Sequence, residues 1–175
     1  MRCVLQYHKK ETETMATTVK VRMTYSDAVA LANEFIEKFV VGKHEIAGSI
    51  RRKEDVIGDI DIITVDPLMK VTSRFTPDVT IVRGKYLKLD VDYKGVRVNI
   101  YYCKPTHWGS MMFYLTGPKN YTIAYRRMAA SQGYSLNQYG LFDRAGNTIA
   151  SKTEAEIYRA LGKQYKSPEL RGKNV

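Results

Sequence analysis

The run Gly58-Asp59-Ile60-Asp61-Ile62 limits what this chain can fold into more than any other stretch of it. Its alternation of acidic and β-branched residues has the period of a half-buried strand. That period puts both aspartates on one face, with Cα atoms ~6.5 Å apart, and sends Ile60 and Ile62 to the other. Such a strand needs an apolar layer behind it and holds two carboxylates together in front. Alone, an Asp-x-Asp pair is also what a solvated strand edge presents. Gly48-Ser49 upstream sharpens the reading, because a Gly-Ser turn opening a helix offers backbone N–H groups and a hydroxyl to phosphate. Arg51, Arg52 and Lys53 add positive charge beside it. An ordinary N-cap followed by a solvated basic turn would look the same in isolation. Together the two segments describe a triphosphate cradle facing a metal-binding carboxylate pair. Two Mg²⁺ ions ~3.5–4 Å apart could there stabilise the attacking and leaving oxygens of an in-line displacement at phosphorus.

The flanking residues supply an α+β setting. Thr24 and Asp27 have capping-box spacing, and Ala28, Leu31, Ala32, Phe35 and Phe39 repeat at helical intervals. One amphipathic helix over 24–41 closing at Gly42 follows. Residues 1–23 read as a loose polar leader with at most one short strand. Residues 79–83, 86–92 and 96–102 read as strands, the last two joined by the two-residue turn Lys94-Gly95. That turn pairs Asp92 with Arg97 and sets Asp90 opposite Asn99, ~4.5–5.5 Å apart at Cβ, with Val91, Val98 and Ile100 on the opposite face. After Cys103 the elements become short: a helix near 120–132 ended by Gly133, a hairpin from about Tyr139 to Ile149, and a helix capped by Thr153 and Glu156 and stopped by Gly162. The expected architecture is a catalytic domain over 1–103 and a smaller mixed α/β domain over 104–175.

Composition narrows the partners. The 175 residues carry a net charge of +10, and the excess is uneven: residues 1–103 hold 17 Lys and Arg against 14 Asp and Glu, residues 104–175 hold 11 against 4. A basic C-terminal part points to a polyanion, with nucleic acid the usual case, although a generic basic surface has the same composition. No apolar run reaches membrane-spanning length and the N-terminus lacks a signal-peptide core, so an intracellular protein is expected. Cys3, Cys103 and the three histidines form no zinc spacing.

The motifs, taken in order, resemble those of family X DNA polymerases, relatives of polymerase beta. Gly48-Ser49-Ile50-Arg51-Arg52 and Gly58-Asp59-Ile60-Asp61 look like the nucleotidyltransferase signature. Arg97-Val98-Asn99-Ile100, Tyr114-Leu115-Thr116-Gly117-Pro118, Asn137-Gln138-Tyr139-Gly140-Leu141-Phe142 and the segment from Thr153-Glu154 through Tyr165, Pro168 and Arg171 are more specific. The set is most similar to the minimal viral form of that family, which has only the palm and C-terminal domains. The resemblance implies a nucleotidyltransferase palm with a mixed sheet, and template-directed addition of a deoxynucleoside monophosphate to a primer 3′-hydroxyl in short-gap repair. It implies Mg²⁺ at a two-metal site, with Mn²⁺ as a substitute. The implied partners are a deoxynucleoside triphosphate and primer-template, gapped or nicked DNA, bound by a monomer in the host cytoplasm or virion.

Residue by residue, the resemblance assigns Asp59 and Asp61 to the metals. It assigns Gly48, Ser49, Arg52, Tyr114, Leu115, Gly117 and Asn137 to the incoming nucleotide, and Arg126, Arg127 and Tyr139 to DNA. The Gly117-Pro118 bond matches a cis bend in relatives. Thr122 stands where relatives carry an asparagine contacting the base, and no N-terminal lyase domain is expected. Asn99 occupies the position of the third catalytic carboxylate. A neutral amide neither ligates a metal well nor accepts a proton, so impaired turnover is expected, whether Asn99 is a substitution made to trap substrate or a natural loss. Two other readings fit the residues: a nucleotidyltransferase acting on a non-DNA acceptor, and a catalytically silent DNA-binding scaffold.

Overall fold

The computed structural model describes residues 21–172. The expected leader thus lies mostly outside the described residues, and its end, Met23–Thr24, forms a two-residue strand, β1. Helix α1, Tyr25–Phe39, follows at once. Thr24 caps it as the spacing predicts: its hydroxyl oxygen accepts from the Asp27 amide at 3.2 Å, and the hydroxyl donates to the Asp27 carboxylate at 2.7 Å. The helix does not close on Gly42. It ends with Val40 in extended conformation, and the Gly42 amide donates instead to Asp66 at 2.7 Å. A Cβ at Gly42 would lie 2.6 Å from that carboxylate, so the glycine serves close approach rather than helix termination.

Strand β2, His44–Ile46, leads into the one-turn helix α2, Gly48–Arg51. Strand β3, Val56–Ile57, pairs back on β1, and β4 runs Ile60–Thr64. The alternating run therefore enters its sheet at Ile60 rather than Gly58, because Val56-Ile57 are drawn to another ladder and Gly58 bends between the two. Asp59 stands at the mouth of the strand and Asp61 within it.

A short helix, α3 (Leu68–Thr72), precedes strands β5 (Val79–Lys85), β6 (Lys88–Tyr93) and β7 (Val96–Tyr102). The five-stranded sheet has the order β2-β4-β7-β6-β5, with β4 and β7 parallel and the other neighbours antiparallel. Lys94 and Gly95 both adopt positive φ, 51° and 77°, which matches the right-handed twist of the strands they join. The register is the expected one, Asp92 with Arg97 and Asp90 with Asn99. Behind the sheet, Ile60, Ile62, Val91, Val98 and Ile100 are fully buried against Phe35 and Phe39 of α1.

The rest of the chain builds α4 (Trp108–Thr116), α5 (Lys119–Ser131), β8 (Ser135–Asn137), β9 (Gly140–Phe142), β10 (Thr148–Ala150) and α6 (Glu154–Ala160). Gly133 and Gly162 follow their helices with φ of 81° and 68°, and Thr153 and Glu156 form the capping box. The β9-β10 hairpin is joined by β8 into a three-stranded sheet. Phe113, Tyr121, Ala129, Leu141, Ile157 and Tyr158 make a second apolar cluster. A third, small one, with Ala47, Ile63, Cys103, Met111 and Met112, seats α4 on the front of β4. The result is a mixed α+β fold. No helix among the described residues is long and apolar enough to cross a membrane.

Candidate active site

The carboxylate strand and the Gly-Ser turn meet because their backbones are tied. The Ala47 amide donates to the Asp61 carbonyl at 2.8 Å, which lays the start of α2 over Asp61. Gly48 has φ of 61°, and a Cβ there would lie 2.2 Å from Asp61 Oδ2. Only glycine leaves that space open. Gly48, Ser49, Arg52, Asp59 and Asp61 form one wall of a cleft of about 480 Å³. Tyr114, Leu115, Gly117 and Pro118 form the facing wall, with Thr122, Ile123 and Arg126 of α5 beyond them.

Asn99 closes the floor of the carboxylate pair. Its Nδ2 donates to Asp61 Oδ1 at 3.0 Å and approaches Asp59 Oδ2 at 3.5 Å. Burial, followed by the negative charge of Asp59, pushes the Asp61 carboxyl up to about 6, while donation from Asn99 and Tyr101 and the charge of Lys88 work in the other direction. Four residues form a row across the sheet: Asp61 on β4, Asn99 on β7, Asp90 on β6 and Arg83 on β5. Asp90 is only 3% exposed and is held by Lys88 at 2.8 Å and Arg83 at 3.3 Å. Its carboxylate is thus neutralised by cations of the outer strands.

The facing wall is fixed by a different device. Arg51 donates to the Thr116 hydroxyl and to Glu154, each at 2.6 Å, and Arg171 holds the other Glu154 oxygen at 2.8 Å. Arg52 donates from Nη1 to the Thr116 carbonyl at 2.5 Å and from Nε to Glu54 at 3.1 Å. Thr116 ends α4, after which Gly117 adopts φ of 62° and the Gly117-Pro118 bond is cis.

The fold therefore gathers Gly48, Ser49, Arg52, Asp59, Asp61, Tyr114, Leu115, Gly117 and Arg126 in one cleft, with Asn99 beneath the carboxylates. Tyr114 is 37% exposed there and is not a core aromatic. Three expected residues lie elsewhere. Arg127 lines a neighbouring groove that also includes Arg126, Tyr134 and Leu136. Tyr139 lines a separate cavity and packs its ring on His107. Asn137 accepts the Tyr139 amide at 2.8 Å and so braces the turn between β8 and β9. Arg51 was read only as charge beside the turn, and Glu154 and Arg171 only as parts of a motif; their pairing was not readable, because an ion pair between residues 51 and 154 has no local pattern.

A divalent cation fits the carboxylate pair on two grounds: two oxygen-donor side chains converge, and Gly48 keeps the space beside Asp61 free of a side chain. Among the described residues, no group of three or more His, Cys, Asp or Glu side chains is gathered for a metal.

Residues 111–172 match the DNA polymerase beta thumb family. The chain is 27% identical over 145 residues to Repair DNA polymerase X of African swine fever virus, covering 75% of this chain and 83% of the viral protein. It is 25% identical over 142 residues to DNA polymerase IV of Saccharomyces cerevisiae, covering 80% of this chain and 23% of the yeast protein. Its fold matches the crystal structure of Leishmania infantum polymerase beta in a ternary P/T complex with a TM-score of 0.73 at 22% identity, covering 88% of this chain and 78% of that one. The fold is that of the polymerase beta class. In sequence the chain is similar to family X DNA polymerases, viral repair polymerases among them, and its segment 111–172 matches the polymerase beta thumb.

Proposed function

We propose that this chain is a template-directed DNA polymerase that fills short gaps in repair, and that with Asn99 in place it turns over poorly. In the reaction the primer 3′-oxygen forms a bond to the α-phosphorus of a deoxynucleoside triphosphate, the bond from that phosphorus to the bridging oxygen breaks, pyrophosphate leaves, and the hydroxyl proton passes to a base or water. Asp59 and Asp61 are the residues that would hold Mg²⁺, or Mn²⁺ in its place, which supplies neutralising charge to the triphosphate when bound.

The remaining roles belong to the chain itself. Gly48 and Ser49 present backbone N–H groups and a hydroxyl to the phosphates, and Arg52 supplies the counter-charge. Tyr114 and Leu115 pack against the sugar, Gly117 lets the backbone approach it, and Asn137 braces the turn leading to Tyr139. Arg126, Arg127 and Tyr139 face DNA. The polar front of the sheet offers no base at position 99, since an amide oxygen does not accept the primer proton at neutral pH.

The observation that carries this reading is the single cleft that brings together the Gly48 turn, the Asp59 and Asp61 pair, and the Tyr114 to Gly117 wall, which are distant in sequence. The relatives, named as repair polymerases, favour DNA over a non-DNA acceptor. Asn99 favours a second reading, a DNA- and nucleotide-binding scaffold without turnover. Calorimetric titration with Mg²⁺ and a deoxynucleoside triphosphate tests the common part: binding is expected in the chain as it stands and lost in Asp59→Ala. Equal affinity with and without Asp59 would sink the assignment. Single-nucleotide insertion into a gapped duplex separates the two readings. With this reading goes an intracellular monomer, in host cytoplasm or virion.

A further inference from the structure

We infer that the cleft takes one divalent cation rather than two, and that residue 99 sets that number. The inference rests on the nucleotide-binding reading of the Asp59 and Asp61 cleft and concerns what the front of the sheet does there. Two divalent ions a few ångströms apart bring four positive charges to one spot, and the protein must answer them with converging oxygens.

Two carboxylates are present at the spot, Asp59 and Asp61. The third side chain in contact with both is Asn99, and it turns its donor side to them: Nδ2 lies 3.0 Å from Asp61 and 3.5 Å from Asp59. An amide N–H in that place takes a lone pair of Asp61 that a second ion would need. Turning the amide over to offer its oxygen would replace those donors with a neutral, weaker ligand and add no negative charge.

The sheet register names the next carboxylate along, Asp90, directly opposite Asn99. It does not fill the gap. Lys88 Nζ at 2.8 Å and Arg83 Nε at 3.3 Å already hold it, so its charge is not free to answer a second cation. Lys88 also sits over the ring of Tyr101, which lies next to Asp61 in the same layer of side chains. The row across the sheet thus runs from two carboxylates through a donor amide to an internally neutralised ion cluster. That distribution matches a single M²⁺ bound at the Asp59 and Asp61 end, shared with the triphosphate.

The test counts metal without asking for catalysis. The full chain is mixed with an equimolar non-hydrolysable deoxynucleoside triphosphate analogue at concentrations well above their dissociation constant, and Mn²⁺ is titrated while electron paramagnetic resonance reads the free ion. One Mn²⁺ per complex is expected to bind tightly, and a second at least ten-fold more weakly. Asn99→Asp is expected to bring in a second tight equivalent, whereas Asn99→Ala is expected to stay at one. Two tight equivalents in the chain as it stands, or only one in Asn99→Asp, would overturn the inference. Asp90→Asn is expected to leave the count unchanged, and a lower count there would overturn it by making Asp90 a ligand. Failure of the underlying reading looks different: no analogue binds, or Asp59→Ala binds it with Mn²⁺ as the parent does.

Discussion

The two walls of the cleft are built on opposite principles. The carboxylate wall lies on a sheet whose register comes from local chemistry, a type I′ turn at Lys94-Gly95 and a period of two that sends Ile60, Ile62, Val98 and Ile100 behind and Asp61, Asn99 and Asp90 in front. The helical wall, Tyr114 to Pro118, has no such local rule. Its place is set by charges buried between distant segments, Arg51 of α2, Glu154 of α6 and Arg171 near the C-terminus. One wall is specified by hydrophobic alternation and tolerates polar change on its front. The other depends on electrostatic satisfaction in a dry place and should not.

The strongest way to break that contrast is at Glu154. It is 8% exposed and pairs with two guanidinium groups, and that of Arg171 sits 5.6 to 5.9 Å from the rings of Phe113, Tyr121, Tyr158 and Tyr165. Removing one member of a buried ion set leaves an uncompensated charge, at a cost of about 3 kcal/mol or more. Glu154→Gln is therefore expected to lower Tm by roughly 10 °C for a chain of this size. A change within about 2 °C would show that the aromatic box alone holds Arg171, and the contrast would fall.

On the carboxylate wall the largest expected effect is a gain. Asn99→Asp restores a carboxylate at the floor of the pair without altering the fold behind it, since Asn and Asp have nearly the same shape. Single-nucleotide insertion into a gapped duplex with Mg²⁺ is expected to rise at least ~100-fold, a few kcal/mol of transition-state stabilisation. Asp90→Ala is expected to change insertion little. Full activity in the chain as it stands, lost in Asp90→Ala, would make Asp90 the working third carboxylate. No insertion even by Asn99→Asp would favour the silent scaffold.

Legibility in the sequence followed the same division. Strands β5, β6 and β7, within two residues at their ends, the hairpin register and the pairing of Asp90 with Asn99 were readable because alternation and a two-residue turn are local signals. Helix α4 was not, since Gly109, Ser110, Met111, Met112, Phe113 and Thr116 are all buried and leave no polar face to mark a helical period. Gly42 misled for a related reason: a glycine after a helix resembles a stop signal, but this one makes room for Asp66. The start of β4 shifted to Ile60 because a competing partner, β1, claimed Val56-Ile57. In the site, Gly48, Ser49, Asp59 and Asp61 reach the cleft through a local turn and strand, Tyr114, Leu115 and Arg126 reach it on helices placed by distant contacts, and Asn137 and Tyr139 lie outside it at the turn between β8 and β9.

A milder effect is expected where the helical wall gives way to the basic groove of α5. Arg126 and Arg127 lie side by side there. Affinity for gapped duplex DNA should fall by at least ten-fold between about 50 mM and about 200 mM salt, and each of Arg126→Ala and Arg127→Ala should reduce the slope of log affinity against log salt by about 1. Arg126→Ala should in addition weaken discrimination between templating bases, because that residue also borders the cleft. Salt-insensitive binding would remove DNA from this face.

The smallest expected effect sharpens the carboxylate side. The Asp61 carboxyl titrates at about 6 in the folded chain, above its ordinary value of 3.8, with burial the main cause and Asp59 the second. A raised acid means that the folded state binds a proton the unfolded state has already released, so for this group stability is gained as pH falls toward 5 and is forgone above 6. Asp61→Asn should then raise the Tm of the metal-free chain by several degrees at about pH 7.5 and by less at about pH 5. Glu34 does not confuse the window: Lys38, Lys94 and Tyr93 hold its carboxyl near 2, and its contribution is lost only as pH falls below the ordinary glutamate range. Metal reverses the sign, because Mg²⁺ requires the charged form of Asp61. Affinity for Mg²⁺ with a deoxynucleoside triphosphate should therefore fall as pH drops through 6, just where the metal-free chain gains stability. Equal Tm shifts for Asp61→Asn at both pH values, together with pH-independent metal affinity over that range, would show that Asn99 and Tyr101 already compensate the Asp61 charge in full.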